Sequence, residues 1–175
     1  MKKLSKLITV AVALSALFFT TYANAQTTPA NAFRFAFGVD AGVPTGNLTI
    51  GSDFVIGASG RVQYGLSNNF ALTLTVGGDH FLSKIDPATG MDFASFGVLG
   101  ARAGVKEFFV PHIYLGLEAG FAGEGTDSGV GNKKFVLSPQ IGWANSKWDI
   151  GVRYDNYSGQ DDPYGFVALK VAYGF

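Results

Sequence analysis

The 175-residue chain holds two histidines and no cysteine, so few side chains are suited to chemistry near neutral pH. His80 stands three residues before Ser83. A histidine beside a hydroxyl is the arrangement that activates a nucleophile. Residues three apart on a regular strand point to opposite faces, so an interfacial or loop histidine is the preferred reading. His112 follows Pro111 in a short connection, where a turn role is preferred. Gly123-Glu124-Gly125-Thr126-Asp127 matches one unit of a Gly-x-Gly-x-Asp calcium repeat. Such sites need tandem copies, so a loop is the better reading. Asp161-Asp162 with Asp155 could hold a divalent ion or bridge to lipopolysaccharide, but a solvated acidic loop is the preferred reading. With no nucleophile triad and no phosphate loop, no catalytic, cofactor-binding or metal residue is assigned.

The elements that must carry these residues begin at an export signal. Lys2, Lys3 and Lys6 precede an apolar run from Leu7 to Phe19, and Ala23-Asn24-Ala25 offers a small-x-small cleavage site. That is the pattern of a secretory signal peptide over residues 1–25, and its apolar run is too short to span a membrane comfortably. No Cys follows the cleavage site, which excludes a lipid-anchored form. A short flexible leader is expected over 26–31 and a single domain over 32–175. Removing the three signal lysines leaves ten basic against thirteen acidic residues, a net charge of −3, and nothing points to a nucleic-acid partner. An exported chain rich in Gly and aromatics, without disulfides or a further apolar helix, fits a transmembrane β-barrel.

Eight segments alternate with turn signals and are expected to be strands. They are Ala32–Gly42, Phe54–Tyr64, Phe70–Phe81, Phe93–Phe108, Ile113–Ala122, Lys133–Ala144, Trp148–Asn156 and Tyr164–Phe175. In the fourth, Phe96 and Val98 fall out of step with Leu99, Ala101, Ala103 and Val105, so a bulge is expected near Gly97–Gly100. The connections Gly65–Asn69, Phe109–His112 and Asn145–Lys147 are short. Pro44–Asp53, Leu82–Asp92, Gly123–Asn132 and Tyr157–Pro163 are longer, an asymmetry expected of an outer-membrane barrel.

One face is continuously apolar, for example Phe33, Phe35, Phe37 and Val39, then Leu72, Leu74 and Val76. The other carries Arg34, Asp40, Arg61, Asp79, Arg102, Lys106, Glu118, Asp149, Arg153, Asp155 and Lys170. A near-balanced set of charges inside a narrow barrel is expected to pair, since an unpaired buried charge is costly. Tyr64, Phe70, Phe108, Phe109, Trp143 and Trp148 cluster beside the short turns. With Tyr173, the residues Tyr64, Phe70, Trp143 and Trp148 are expected at a membrane–water interface.

This pattern resembles the small eight-stranded outer-membrane barrels of the OmpX and OmpA transmembrane-domain type. Phe37-Gly38-Val39-Asp40-Ala41-Gly42-Val43-Pro44-Thr45-Gly46 is similar to segments of Bacteroidetes-type outer-membrane barrels. The resemblance implies an all-β, antiparallel up-and-down barrel in the outer membrane of a Gram-negative cell. It also implies that Leu169, Val171, Tyr173 and Phe175 form a terminal signal read by the barrel-assembly machinery. The expected partners are outer-membrane lipid, lipopolysaccharide and, during biogenesis, that machinery with periplasmic chaperones. A monomer without cofactor is expected, with a structural or surface-interaction role and no enzymatic activity. The alternatives are a narrow channel or a lipid A-modifying enzyme using His80. A soluble lipocalin-like carrier is disfavoured, because the apolar face is too continuous to face water.

Overall fold

A computed structural model describes residues 28–46, 49, 51–85, 95–126, 129–160 and 162–175. The expected signal peptide, residues 26 and 27, and parts of the longer connections lie outside the described residues. Eight strands close into one barrel, each paired antiparallel with its neighbours in chain order. They are β1 (Phe33–Thr45), β2 (Ser52–Gly65), β3 (Phe70–Ser83), β4 (Phe96–Val110), β5 (Ile113–Thr126), β6 (Gly129–Ala144), β7 (Trp148–Gly159) and β8 (Tyr164–Gly174). β1 closes the ring against β8, from Ala36 opposite Gly174 to Thr45 opposite Gly165. Closure leaves no free sheet edge, although the β6–β7 ladder skips Ser138 and Pro139, between Leu137 opposite Asn156 and Gln140 opposite Arg153.

Side-chain alternation sorts the sequence onto two surfaces. In β1 the odd-numbered residues from Phe33 to Val43 are exposed and the even-numbered ones from Arg34 to Pro44 are buried. The outer wall is a continuous apolar surface that includes Phe37, Leu74, Leu99, Phe121 and Ile141. Phe121 is 71% exposed and Leu74 51%. An apolar area of this extent is not stable against water.

Two local expectations fail, each for a physical reason. The β3–β4 register runs without a shift from Phe81 opposite Phe96 to Phe70 opposite Glu107, so no bulge lies at Gly97–Gly100. Val98 is buried and Leu99 exposed, in phase with buried Arg102. Phe96 and Val98 are out of step with the outer apolar residues because they point inward, Val98 buried and Phe96 packed against the lumen cluster. The register shift in β4 lies at the other end, between Phe108 and Val110. The connection expected over Gly123–Asn132 is largely paired, with Thr126 opposite Gly129 and a register shift between Gly123 and Gly125. A hairpin that projects beyond the apolar band has water on both faces, so its pairing continues where alternation stops.

The described part of the expected leader is held against the barrel. Thr28 is fully buried and its hydroxyl accepts a 2.8 Å hydrogen bond from Gln63 Nε2. Asn31 N donates to Gly65 O at 2.8 Å, so residues 28–31 cover the end of the barrel where the short turns lie.

Candidate functional site

The interior of an eight-stranded barrel is just wide enough for side chains to fill, and here they fill it in two layers. Toward the short-turn end lies a charged layer centred on Asp149. Its carboxylate takes Lys106 Nζ at 2.6 Å and Arg61 Nη1 at 3.3 Å on Oδ2. On Oδ1 it accepts the Tyr114 hydroxyl at 2.6 Å, with Lys170 Nζ at 3.7 Å. Gly142 and Gly151 provide the slot for this hydroxyl, since a Cβ on either would stand 2.7 or 2.9 Å from Tyr114 Oη. Lys106 Nζ also sits 3.7 Å from the centroid of the Tyr114 ring, a cation–π contact strengthened by desolvation.

Glu118 links this centre to the next. Arg61 Nη2 lies 3.0 Å from Glu118 Oε1, and Thr75 donates to the same oxygen at 3.0 Å. Arg102 Nε approaches Oε2 at 3.8 Å. Arg102 Nη1 in turn meets Asp155 Oδ2 at 2.6 Å. Arg153 gathers three acids: Asp155 at 2.9 Å, Asp79 at 3.3 Å and Asp40 at 3.5 Å. The inward parity of Arg34, Arg61, Asp79, Arg102, Lys106, Glu118, Asp149, Arg153, Asp155 and Lys170 thus places all of them in the buried interior.

Above the charges, toward the longer connections, the lumen is aromatic. Phe81 is fully buried and stacks on Phe96 with centroids 4.6 Å apart. It meets Tyr164 and Phe166 edge-on at 5.8 and 5.6 Å. Tyr157 stacks on Tyr164 at 5.0 Å, while its hydroxyl donates to Asp79 Oδ2 at 3.0 Å. Val55, Val98, Ala122, Val136 and Ala168 complete the cluster. A cavity beside Asp79, Arg102, Val136 and Tyr157 measures about 10 Å³, at the limit of what holds one water.

Lys134 caps this aromatic layer. It is buried, donates to the carbonyls of Gln160 and Asp162, and lies 5.2 Å from the centroid of Tyr164. The Tyr164 hydroxyl donates to Glu124 Oε1 at 2.8 Å. Lys134, second in the expected strand Lys133–Ala144, belongs to the inward charged set that the sequence reading confined to other positions. Its spacing from Val136, Ser138 and Gln140, all buried, carries the signal.

The remaining candidates separate. His80 is on the exposed outer wall, in a shallow groove with Ile56, Ala58, Gly78 and Leu99. His112 sits in its turn at φ 68°, with Nδ1 3.0 Å from Ala144 O. Asp155 is held by Arg102 and Arg153 and does not join Asp162. Asp161 lies outside the described residues. Of the turn aromatics, Tyr64 packs on Phe33 at 4.8 Å and Trp148 on Tyr173 at 5.2 Å. Trp143 meets His112 at 5.9 Å, and Phe70 is half-buried. Phe108 instead turns inward, fully buried beside Tyr114, because inward Lys106 fixes its parity.

Fold and lumen together define a small, closed, eight-stranded barrel of the transmembrane type with a filled interior. No protein-family model and no curated protein matches the chain. Solved structures do. Ail from Yersinia pestis, determined in a phospholipid bilayer nanodisc, is similar at a TM-score of 0.54 with 12% identity over 80% of this chain and 99% of that one. OprG from Pseudomonas aeruginosa matches at 0.51, with 10% identity over 88% and 99%. A de novo designed transmembrane β-barrel matches at 0.50, with 19% identity over 81% and 95%. The fold is therefore that of the small outer-membrane barrels.

Proposed function

We propose that this protein is an integral outer-membrane barrel, closed to solutes at rest, with a structural or surface-interaction role rather than an enzymatic one. The observation that carries this reading is the combination of an apolar outer wall with an interior filled by a network of charges and by stacked rings. The short turns and both chain ends then face the periplasm, and the longer connections face the cell exterior. Tyr64, Phe70, Trp143, Trp148 and Tyr173 mark the periplasmic interface. Leu169, Val171 and Tyr173 lie on one outward face of β8 and Phe175 follows it directly, where the assembly machinery would read them, and periplasmic chaperones would deliver the chain. Outer-membrane lipid and lipopolysaccharide cover the wall of a monomer.

The test is fractionation with the outer membrane together with a heat-dependent mobility shift in SDS. Recovery in the soluble periplasmic fraction would sink the membrane assignment. Planar-bilayer recordings decide the second reading, a narrow channel, which the charged layer favours. Steady conductance would establish it and remove the closed-barrel reading. If His80→Ala leaves lipid A unchanged in cells, the remaining enzymatic reading is gone.

A further inference from the structure

Arg34 is the buried cation that the charged layer does not pair. It is 6% exposed, and its Nε and Nη2 are buried without a hydrogen-bond partner. Among the described residues no acid lies within ion-pair distance of its guanidinium. Asp149 is already shared by Lys106, Arg61 and Lys170, and Glu118 by Arg61 and Arg102. Asp40, Asp79 and Asp155 are gathered by Arg153. The connected charges of the lumen therefore set six cations, Arg34, Arg61, Arg102, Lys106, Arg153 and Lys170, against five acids, Asp40, Asp79, Glu118, Asp149 and Asp155. A buried charge left without a counter-charge is strongly unfavourable.

Arg34 is also shaped for a particular partner. Nε and Nη2 form the side-on edge of a guanidinium, which binds carboxylate or phosphate through two parallel N–H bonds. The position depends on Gly174 opposite: a Cβ there would fall 2.3 Å from both Nε and Nη2. Arg34 is the second residue of β1 and Gly174 the last of β8, so the fork stands at the short-turn mouth of the lumen. We propose that Arg34 binds a small oxyanion, a carboxylate or a phosphate, at the short-turn end of the lumen beneath residues 28–31, where it completes the charge balance of the interior.

The experiment uses the mature chain refolded in maltoside micelles, which carry no phosphate. Urea unfolding is compared in sodium phosphate, sodium acetate and sodium chloride at equal ionic strength. The expected result is a wild-type folded-to-unfolded ratio about ten-fold higher in an oxyanion present at ten times its dissociation constant, relative to chloride. Phosphate alone raising it identifies a phosphate site, and acetate alone a carboxylate site. Arg34→Gln should abolish the difference between salts, which separates site binding from the general salting effect of phosphate. If Arg34→Gln does not refold, Arg34→Lys, which keeps the charge but not the fork, and Gly174→Ala, which displaces the guanidinium, carry the same comparison. Equal ratios in all three salts for wild type, or an oxyanion effect unchanged in the variants, overturn the site.

Discussion

The two halves of the lumen solve the same packing problem with different chemistry. The half near the short turns is filled by ions, with Asp149 serving Lys106, Arg61, Lys170 and Tyr114 at once. The half near the longer connections is filled by rings, with Phe81 against Phe96, Tyr164 and Phe166. Ions removed from water depend on every partner being present, so the charged half is brittle. Rings lose contacts in proportion to what is removed, so the aromatic half should degrade gradually. Brittleness in one half and tolerance in the other is what mutation can test.

The largest effect is expected from Asp149→Asn. It removes the charge shared by three cations and replaces one carboxylate oxygen with an NH2 donor, and should cost at least about 3–5 kcal/mol. Urea unfolding in micelles, followed by tryptophan fluorescence, reads it. A loss under 1 kcal/mol, taken roughly as the cost of an ordinary hydrogen bond, would show that the layer is hydrated and not brittle. Phe81→Ala should cost about 3–5 kcal/mol. Unlike the first variant, it should also raise bilayer conductance above that of wild type, because it opens the layer that closes the outer half. Unchanged conductance would place the closure in the ions instead. On the wall outside both layers, Leu74→Arg should cost roughly 2–4 kcal/mol for a cation in lipid and lower the yield of heat-modifiable protein. Leu74→Phe should be close to neutral, and equal damage by the two would refute the outward assignment.

The two halves also differ in how far the sequence reveals them. Strand parity exposes a charge at once, since Arg61 or Lys170 among apolar neighbours can only face inward in a lipid-covered barrel. The rings are hidden by the same logic. Val55, Phe81, Val98, Val136 and Phe166 share the inward parity of the charges, yet their types fit the lipid face equally well. That ambiguity makes Phe96 and Val98 look like a bulge near Gly97–Gly100, and the unbroken β3–β4 register resolves it. Ion-pair choice was equally illegible, because it depends on which strands the barrel sets opposite one another. Arg61 reaches Asp149 across 88 residues of sequence.

The smallest predicted effect lies where the aromatic half meets the exterior. Lys134 joins the carbonyls of Gln160 and Asp162 to the ring of Tyr164, and Tyr164 itself packs on Phe81. Lys134→Met keeps the length and apolar stem and removes the charge. A hydrogen bond from a charged donor contributes about 1.5–3 kcal/mol, and Lys134 lies near the mouth, where water can replace the lost donor. The net cost should therefore be about 1 kcal/mol, confined to this end. Amide hydrogen exchange at Gln160 and Tyr164 should quicken several-fold while that of Arg61 and Lys106 stays unchanged. Exchange that quickens in both halves would mean that the layers unfold as one unit, and the contrast between a brittle and a tolerant half would fail.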